Sequence, residues 1–297
     1  MTEFRKSILD KIKENRPKLG ESSAKTYVSI LFNLHKKLAP EGNDNLTWFN
    51  DVEHIIDKLK DIAPKVRKTT LSALFILTKN DKYQVLMMDD CKVANVEYRE
   101  QKKDGKEAAN WVEVSQIKTI YDRLLEQVKQ MFSKKMIGNP YLIMEFFLIA
   151  LLGGTIPNLP PRRSLDYGAM KIRNFDTKTD NYYKAGKFYF NRYKTQSIYG
   201  TQILDVPKEL DSIIKKWIKL NDTDYLLYSS NKQPLSSPQI TRILNKVFDG
   251  KKVSTDLLRH IFLTDKYKDV PALSQMDSLA AQMGHSVNQA MLYVKKS

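Results

Sequence analysis

Five side chains of this 297-residue sequence carry the means to hold and break a phosphate ester. Arg163 lies in PPRRSLDYG, Lys194 in FNRYKTQSIYG, Arg259 in TDLLRHIF, His285 in MGHS, and Tyr293 eight positions after that histidine. A guanidinium stays charged at any working pH and can grip two phosphate oxygens at once. A tyrosine hydroxyl, with a pKa of about 10, serves as a nucleophile once its proton has somewhere to go. A lysine can give a proton to a leaving oxygen, and an imidazole can share or move one. Each residue also has an ordinary explanation. Arg259, among Leu257, Leu258, Ile261 and Phe262, fits a snorkelling or paired arginine on an apolar helix. His285 after Gly284 fits a histidine at a helix C-terminal dipole. Arg163 fits a loop charge, Lys194 is one lysine of many, and Tyr293 is one of 15 tyrosines. Order and context decide between the two readings.

Bulk properties favour a polyanionic partner. The formal net charge is +15, most of it after residue 108. A chain this basic commonly meets nucleic acid, the plain alternative being a basic but inert surface. With 42% hydrophobic and 10% aromatic residues and only 11 glycines and 11 prolines, it can build real cores. Cys91 is the only cysteine, which excludes an internal disulfide and a cysteine-based zinc site. His35, His54, His260 and His285 are scattered without metal-ligand spacing, so neither a metal nor a cofactor is expected. The N-terminus is charged throughout and lacks the apolar stretch of a signal peptide. The longest apolar run, YLIMEFFLIALLGG (141–154), is too short to cross a bilayer and contains Glu145. It reads as a helix buried on all sides of an intracellular protein with no membrane association.

The elements that must position the five residues follow from periodicity. SSAKTYVSILFNLHKKL, TWFNDVEHIIDKLKDI and KVRKTTLSALFILTKN repeat apolar residues at helical spacing, the first after a serine N-cap. They predict a small bundle of four or five helices. VEYREQKKDGKEAANW (96–111) is polar and charged and reads as a linker. After it come one amphipathic helix and the buried helix. AMKIRNF, KFYFNRYKT and YGTQILDVP are rich in β-branched and aromatic residues, separated by DTKTDN and QSI, and predict a three-stranded antiparallel sheet. Helices return at PKELDSIIKKWIKL and at SSPQITRILNKVF, where Ser237 caps and Pro238 takes the first turn. STDLLRHIFLTDKYKD, ALSQMDSLAAQMG and SVNQAMLYVKK complete the chain. The expected fold class is mainly α with a small antiparallel β-sheet, in two domains, residues 1–105 and 106–297.

LLRHIF, then about two dozen residues, then MGHS and a tyrosine on the next helix, resembles the C-terminal half of the tyrosine recombinase (phage-type integrase) catalytic domain. Upstream, a buried helix ending in Gly-Gly precedes Arg-x-x-acid (Arg163 to Asp166) and a strand, Met170–Phe175, as in that family's first arginine box. Lys194 falls where the family has its catalytic hairpin lysine, and the helical first third is similar to its core-binding domain. The resemblance covers essentially the whole chain, and the ordered series of boxes is more specific than any one of them. The PPRR form of the first box and the YKT lysine box look most like recombinases of large DNA viruses and their mobile elements.

The resemblance implies a site-specific recombinase that cuts and rejoins double-stranded DNA through a 3′-phosphotyrosine link, without metal or ATP. Tyr293 would be the nucleophile. Arg163 and Arg259 would bind the scissile phosphate, Lys194 would protonate the leaving 5′-oxygen, and His285 would hydrogen-bond the phosphate or help proton transfer. Family members act as tetramers on paired sites, so a homo-oligomer is expected. Lys25, Arg67 and Lys68, near helix starts of the N-terminal bundle, are candidate phosphate contacts, with a solvated face as the equal alternative. Three features depart from the family. Asp256 stands where a histidine is usual and could act as a base or orient Arg259. The His285–Tyr293 interval is one residue short. The first arginine is doubled, so Arg162 competes with Arg163, which is preferred because Asp166 then occupies the acidic position. Type IB topoisomerase-like DNA relaxation and an inactive DNA-binding relative are the competing readings.

Overall fold

The computed structural model describes residues 2–40, 45–134, 140–284 and 286–293, with Leu292 and Tyr293 described by backbone alone. Among these residues the chain is mainly α-helical with one three-stranded antiparallel sheet, which is the expected fold class. It divides into two compact units: Met1–Lys102 together with Pro271–Ser297, and Lys103–Val270.

In the first unit, α1 (Glu3–Asn15), α2 (Glu21–Leu38), a 3-10 turn (Leu46–Asn50), α3 (Val52–Leu59), α4 (Pro64–Thr78) and α5 (Asp81–Arg99) pack around one core. Helix α1 was not expected. It buries Phe4, Ile8 and Ile12, four apart, with Leu9 packed beside them, in an otherwise polar and charged stretch. Such a stripe is narrow but sufficient once tertiary packing covers it. Helix α2 begins at Glu21 with Gly20 as its N-cap, not on the predicted serine. His35 of α2 packs among Phe4, Trp48 and Phe49, at ring-centroid distances of 4.4, 5.2 and 5.7 Å. Tyr83 is fully buried and its hydroxyl donates to the Phe49 carbonyl at 2.9 Å. Each fully buried aromatic or aliphatic side chain of this kind contributes about 1.5–3 kcal/mol.

The second unit holds α6 (Gly105–Asn110), α7 (Val114–Ser133), α8 (Pro140–Leu152), α9 (Ser164–Gly168), β1 (Tyr182–Lys184), β2 (Lys187–Phe190), α10 (Gln196–Tyr199), β3 (Gln202–Asp205), α11 (Lys208–Leu220), α12 (Ser237–Val247) and α13 (Thr255–Lys266). Helix α8 is the predicted buried helix. Phe146 to Leu152 are all inaccessible, and the half-buried Glu145 pairs with Lys246 at 3.1 Å. The first strand differs from expectation. Met170–Phe175 does not enter the sheet; Lys171 makes only isolated bridges, to Tyr182 and Tyr225. The first strand is instead Tyr182–Lys184, joined to β2 by a two-residue turn, Ala185–Gly186, with φ of 50° and 76°. Two positive φ values match the twist of a tight hairpin, so this short turn captures YYK as the strand. Helix α12 is capped one residue earlier than predicted, by Ser236, whose amide donates to the Gln239 side chain at 2.9 Å.

Helices α14 (Leu273–Gln282) and α15 (Val287–Tyr293) belong to the first unit, although the sequence reading placed them in the second domain. Arg99 on α5 pairs with Asp277 on α14, and the Gln101 side chain accepts from the Leu273 amide at 2.9 Å. Gly284, at φ 72°, follows α14 in the left-handed conformation common after helix ends. No described helix is long and apolar enough to cross a membrane.

Candidate active site

Arg163 is the N-cap residue of α9, which is held from two sides. The Ser164 and Ser237 hydroxyls lie 2.9 Å apart. A Cβ on Gly168 would stand 2.5 Å from the Leu235 carbonyl oxygen, so only glycine lets the two segments approach. Arg259 stands in the second turn of α13, whose N-cap Ser254 accepts from the Leu257 amide at 3.1 Å. One turn beyond Arg259, Phe262 lies against Gly154, where φ is 68° and a Cβ would meet the ring at 2.4 Å. The Gly-Gly end of α8 therefore seats the helix that carries Arg259.

These elements bring Arg163 and Arg259, distant in sequence, to one cavity of about 230 Å³. Its lining also includes Pro160, Pro161, Arg162, Asp166, Tyr193, Thr195, Tyr199 and Gln202. A larger open groove, about 640 Å³, runs along α2 beside Ser22, Lys25, Thr26, Ser29 and Asn33. That groove gathers hydroxyls and one lysine paired with Glu21, without the convergent cations that phosphate chemistry needs, so the smaller cavity is the candidate site.

The doubled arginines have separate surroundings. Arg162 donates through Nε to Asp166 Oδ2 at 2.9 Å and through Nη1 to Gln202 Oε1 at 2.7 Å. Its guanidinium carbon stands 4.0 Å from the Phe190 ring centroid and 5.1 Å from that of Tyr193. The Arg163 guanidinium makes no hydrogen bond or ion pair among the described residues, which leaves its donors available to a ligand. The acid expected to accompany Arg163 thus engages Arg162. Asp166 is buried, and its Oδ1 has no hydrogen-bond partner among the described residues. Burial pushes its carboxyl above the usual range, outweighing the opposing charges of Arg162 and Arg163.

Arg259 Nη1 donates to Asp256 Oδ1 at 3.0 Å, a single-point contact. Lys194 lies in the turn between β2 and α10, not on a strand. It is exposed and makes no hydrogen bond or ion pair among the described residues, while its neighbours Tyr193 and Thr195 line the cavity. His285 falls outside the described residues. Tyr293 is described only as the last backbone position of α15.

Of the three candidate phosphate contacts in the first unit, Lys25 is exposed on α2 and pairs with Glu21 at 2.9 Å. Lys68 places its ammonium 4.9 Å from the Tyr98 ring centroid. Arg67 is occupied within the fold. It donates to Asp90 at 2.8 and 2.7 Å and to the Leu59 and Lys60 carbonyls at 3.4 and 3.0 Å, and Asp90 holds its guanidinium above the usual range. Sequence reasoning missed Gln202, Asn181 and Asn191. A neutral amide carries no signal of its own, whether beside a strand as in Asn181 and Asn191 or at the start of β3 as in Gln202, and only the folded hydrogen bonds reveal these three.

No protein-family model matches the chain, and no curated protein matches it by sequence. Among solved structures it is similar to XerA recombinase, at 13% identity and a TM-score of 0.35 over 100% of this chain and 94% of that one. It is also similar to a lambda integrase dimer bound to a COC′ core site, at 13% identity and a TM-score of 0.46 over 90% of this chain and 91% of that one. A third is XerH site-specific recombinase bound to difH substrate, at 15% identity and a TM-score of 0.33 over 98% of this chain and 91% of that one. Similarity at this level carries no functional weight by itself, and the reading below rests on the residues of this chain.

Proposed function

We propose that this chain is a site-specific DNA recombinase of the tyrosine type, acting by transesterification at a DNA phosphodiester. The observation that carries the reading is the convergence of Arg163 and Arg259 on one cavity, next to a turn bearing Lys194, which makes no ion pair among the described residues. Two fixed cations beside one phosphate stabilise the charge that builds on its non-bridging oxygens during displacement. The Tyr293 oxygen forms a new bond to phosphorus and its proton passes to a neighbouring base, for which Asp256 and His285 are the candidates. The bond to the 5′-oxygen breaks, and that oxygen takes a proton from Lys194. The 3′-phosphotyrosine link keeps the ester energy, so rejoining is the same step in reverse. The net charge of +15 suits a duplex partner, bound by residues of both units. Assembly as a homo-tetramer on paired sites is part of the same proposal.

The test is a duplex nicked close to the cleavage point, so that the short leaving strand diffuses away and traps the covalent complex. The chain should form a DNA adduct that survives denaturation, and Tyr293→Phe should bind the duplex without forming one. An adduct from the phenylalanine variant would remove the nucleophile assignment. Strand exchange between two short specific duplexes supports recombination, whereas relaxation of supercoils without site preference would make the chain a topoisomerase.

A further inference from the structure

Lys194 makes no hydrogen bond or ion pair among the described residues, yet a general acid must stand within hydrogen-bond reach of the oxygen it protonates. Two buried asparagines outside the cavity lining supply the missing constraint. Asn181, 7% exposed, uses both ends of its side-chain amide. Its Nδ2 donates to the Asp166 carbonyl at 2.9 Å and to the Arg192 carbonyl at 2.8 Å. Its Oδ1 accepts from the Asn191 amide at 2.9 Å and the Arg192 amide at 2.7 Å. With carbonyls at one end and N–H groups at the other, the amide can face only one way.

Asn191, 9% exposed, extends the link. Its Nδ2 donates to the carbonyls of Thr177 and Asp180 at 2.9 and 2.8 Å, and its Oδ1 accepts from the Thr201 hydroxyl at 2.9 Å. The next residue, Gln202, accepts from Arg162, which in turn holds Asp166. A closed circuit therefore runs from the arginine box through Asn181 and Asn191 to Thr201 and Gln202 and back. The turn carrying Lys194 is the loop of chain pinned between its two ends, at Arg192 and at Thr201.

We infer that Asn181 is a positioning residue, which sets the Lys194 turn in register with the Arg163 box by bonding both backbone groups of Arg192 and the carbonyl of Asp166. The inference rests on the proposed transesterification, in which Lys194 protonates the 5′-oxygen. A buried amide with four satisfied bonds tolerates no isosteric exchange. In Asn181→Asp, a carboxylate oxygen would face the two carbonyls that now accept from Nδ2, and the turn would shift. A displacement of about 1 Å is enough to cost on the order of 10²-fold in a positioned step.

The experiment compares two DNA substrates, one ordinary and one with sulfur bridging phosphorus and the 5′-carbon at the cleavage point. A thiolate leaves without being protonated, so the sulfur substrate bypasses the general acid. Lys194→Ala should slow cleavage of the oxygen substrate by about 10²–10⁴-fold and cleave the sulfur substrate at close to the parent rate. Asn181→Asp should follow the same pattern, slowed about 10²-fold on oxygen and restored by sulfur, with DNA affinity unchanged. Thr201→Val, which removes one exposed donor to Asn191, should show the pattern more weakly and serves if the first variant does not fold. Equal losses on both substrates in Asn181→Asp, or in Thr201→Val, with Lys194→Ala rescued, would overturn the inference. Failure of sulfur to rescue Lys194→Ala would overturn the parent reading instead.

Discussion

Arg67 and Arg259 sit on apolar helices of different units, and each pairs with an aspartate. Arg67 is 14% exposed and Asp90 3%, and the contact is two-pronged at 2.7 and 2.8 Å. Arg259 is 29% exposed and Asp256 76%, and the contact is single at 3.0 Å. Coulomb attraction is common to both; desolvation and free valence are not. In the first pair the carboxylate is buried, so each charge depends on the other to remain in the fold. In the second, water solvates the carboxylate, and among the described residues most of the guanidinium's donors make no bond. Pairing with an acid therefore says little about whether an arginine is structural. The number of donors left over says more, and by that measure Arg163 and Arg259 are available to a ligand while Arg162 and Arg67 are committed.

The largest expected effect is on stability at the first pair. Asp90→Ala leaves a buried guanidinium without its partner and should lower the unfolding free energy by about 3–5 kcal/mol, read by denaturant titration. Asp256→Ala should leave the denaturation midpoint within experimental scatter, because its carboxylate is solvated in the folded chain. If Asp256→Ala destabilised as much as Asp90→Ala, the contrast between the pairs would fail.

Next come the open arginines. Arg163→Ala and Arg259→Ala should each slow covalent adduct formation by about 10²–10³-fold, as loss of one preorganised donor to a developing charge does. Neither change should be rescued by the sulfur substrate, since charge on the non-bridging oxygens is the same for both leaving groups. Arg162→Ala should instead lower stability, because it strips Asp166 and Gln202 of their partner. A variant of Arg162 that folded normally yet lost adduct formation as Arg163→Ala does would return the first-arginine question to where the sequence left it.

Much of this was legible in the sequence, and the failures have definite causes. The buried helix could be read because a long apolar run is a strong signal, and the two arginines singled out by their order in the sequence line one cavity. The first strand was misplaced because AMKIRNF offers a longer apolar and β-branched run than YYK, whereas the tight turn at Ala185 and Gly186 draws Tyr182–Lys184 into the sheet. Helix α1 escaped because its four apolar residues, Phe4, Ile8, Leu9 and Ile12, are diluted by polar and charged neighbours over thirteen positions. The grouping of Asp166 with Arg162 could not be read, because position in a motif does not say which of two adjacent guanidiniums turns toward the acid. Arg67 looked like a DNA contact for the same reason: sequence gives the charge without its partner twenty-three positions away.

Asp166 sharpens the comparison through pH. Burial raises its carboxyl above the value it has in the unfolded chain. Its contribution to stability is thus full below the ordinary carboxylate range and is lost as pH rises through the raised value, because folding must then either hold a proton or bury a charge. Asp166→Asn removes that titration. Unfolding midpoints of the parent chain should fall relative to those of Asp166→Asn as pH rises from about 4, the unfolded carboxylate value. A parent chain that gained stability relative to the variant over the same range would mean that Arg162 and Arg163 outweigh burial.

The smallest effect is expected at Lys25, which was grouped with Arg67 as a candidate phosphate contact. Its ammonium and its partner Glu21 are both exposed, so Lys25→Ala should not move the unfolding midpoint. If Lys25 touches a phosphate, the slope of log affinity against log salt should fall in magnitude by about one, with binding weakened evenly across DNA sequences. An unchanged slope would assign Lys25 to the solvated surface. Arg67→Ala offers the opposite outcome, because its donors are already taken by Asp90 and two carbonyls. At temperatures where that variant remains folded, its salt slope should equal the parent's. A reduced slope there would show that a buried, fully bonded arginine had been released to DNA, and occupancy of donors would no longer separate structural from binding cations in this chain.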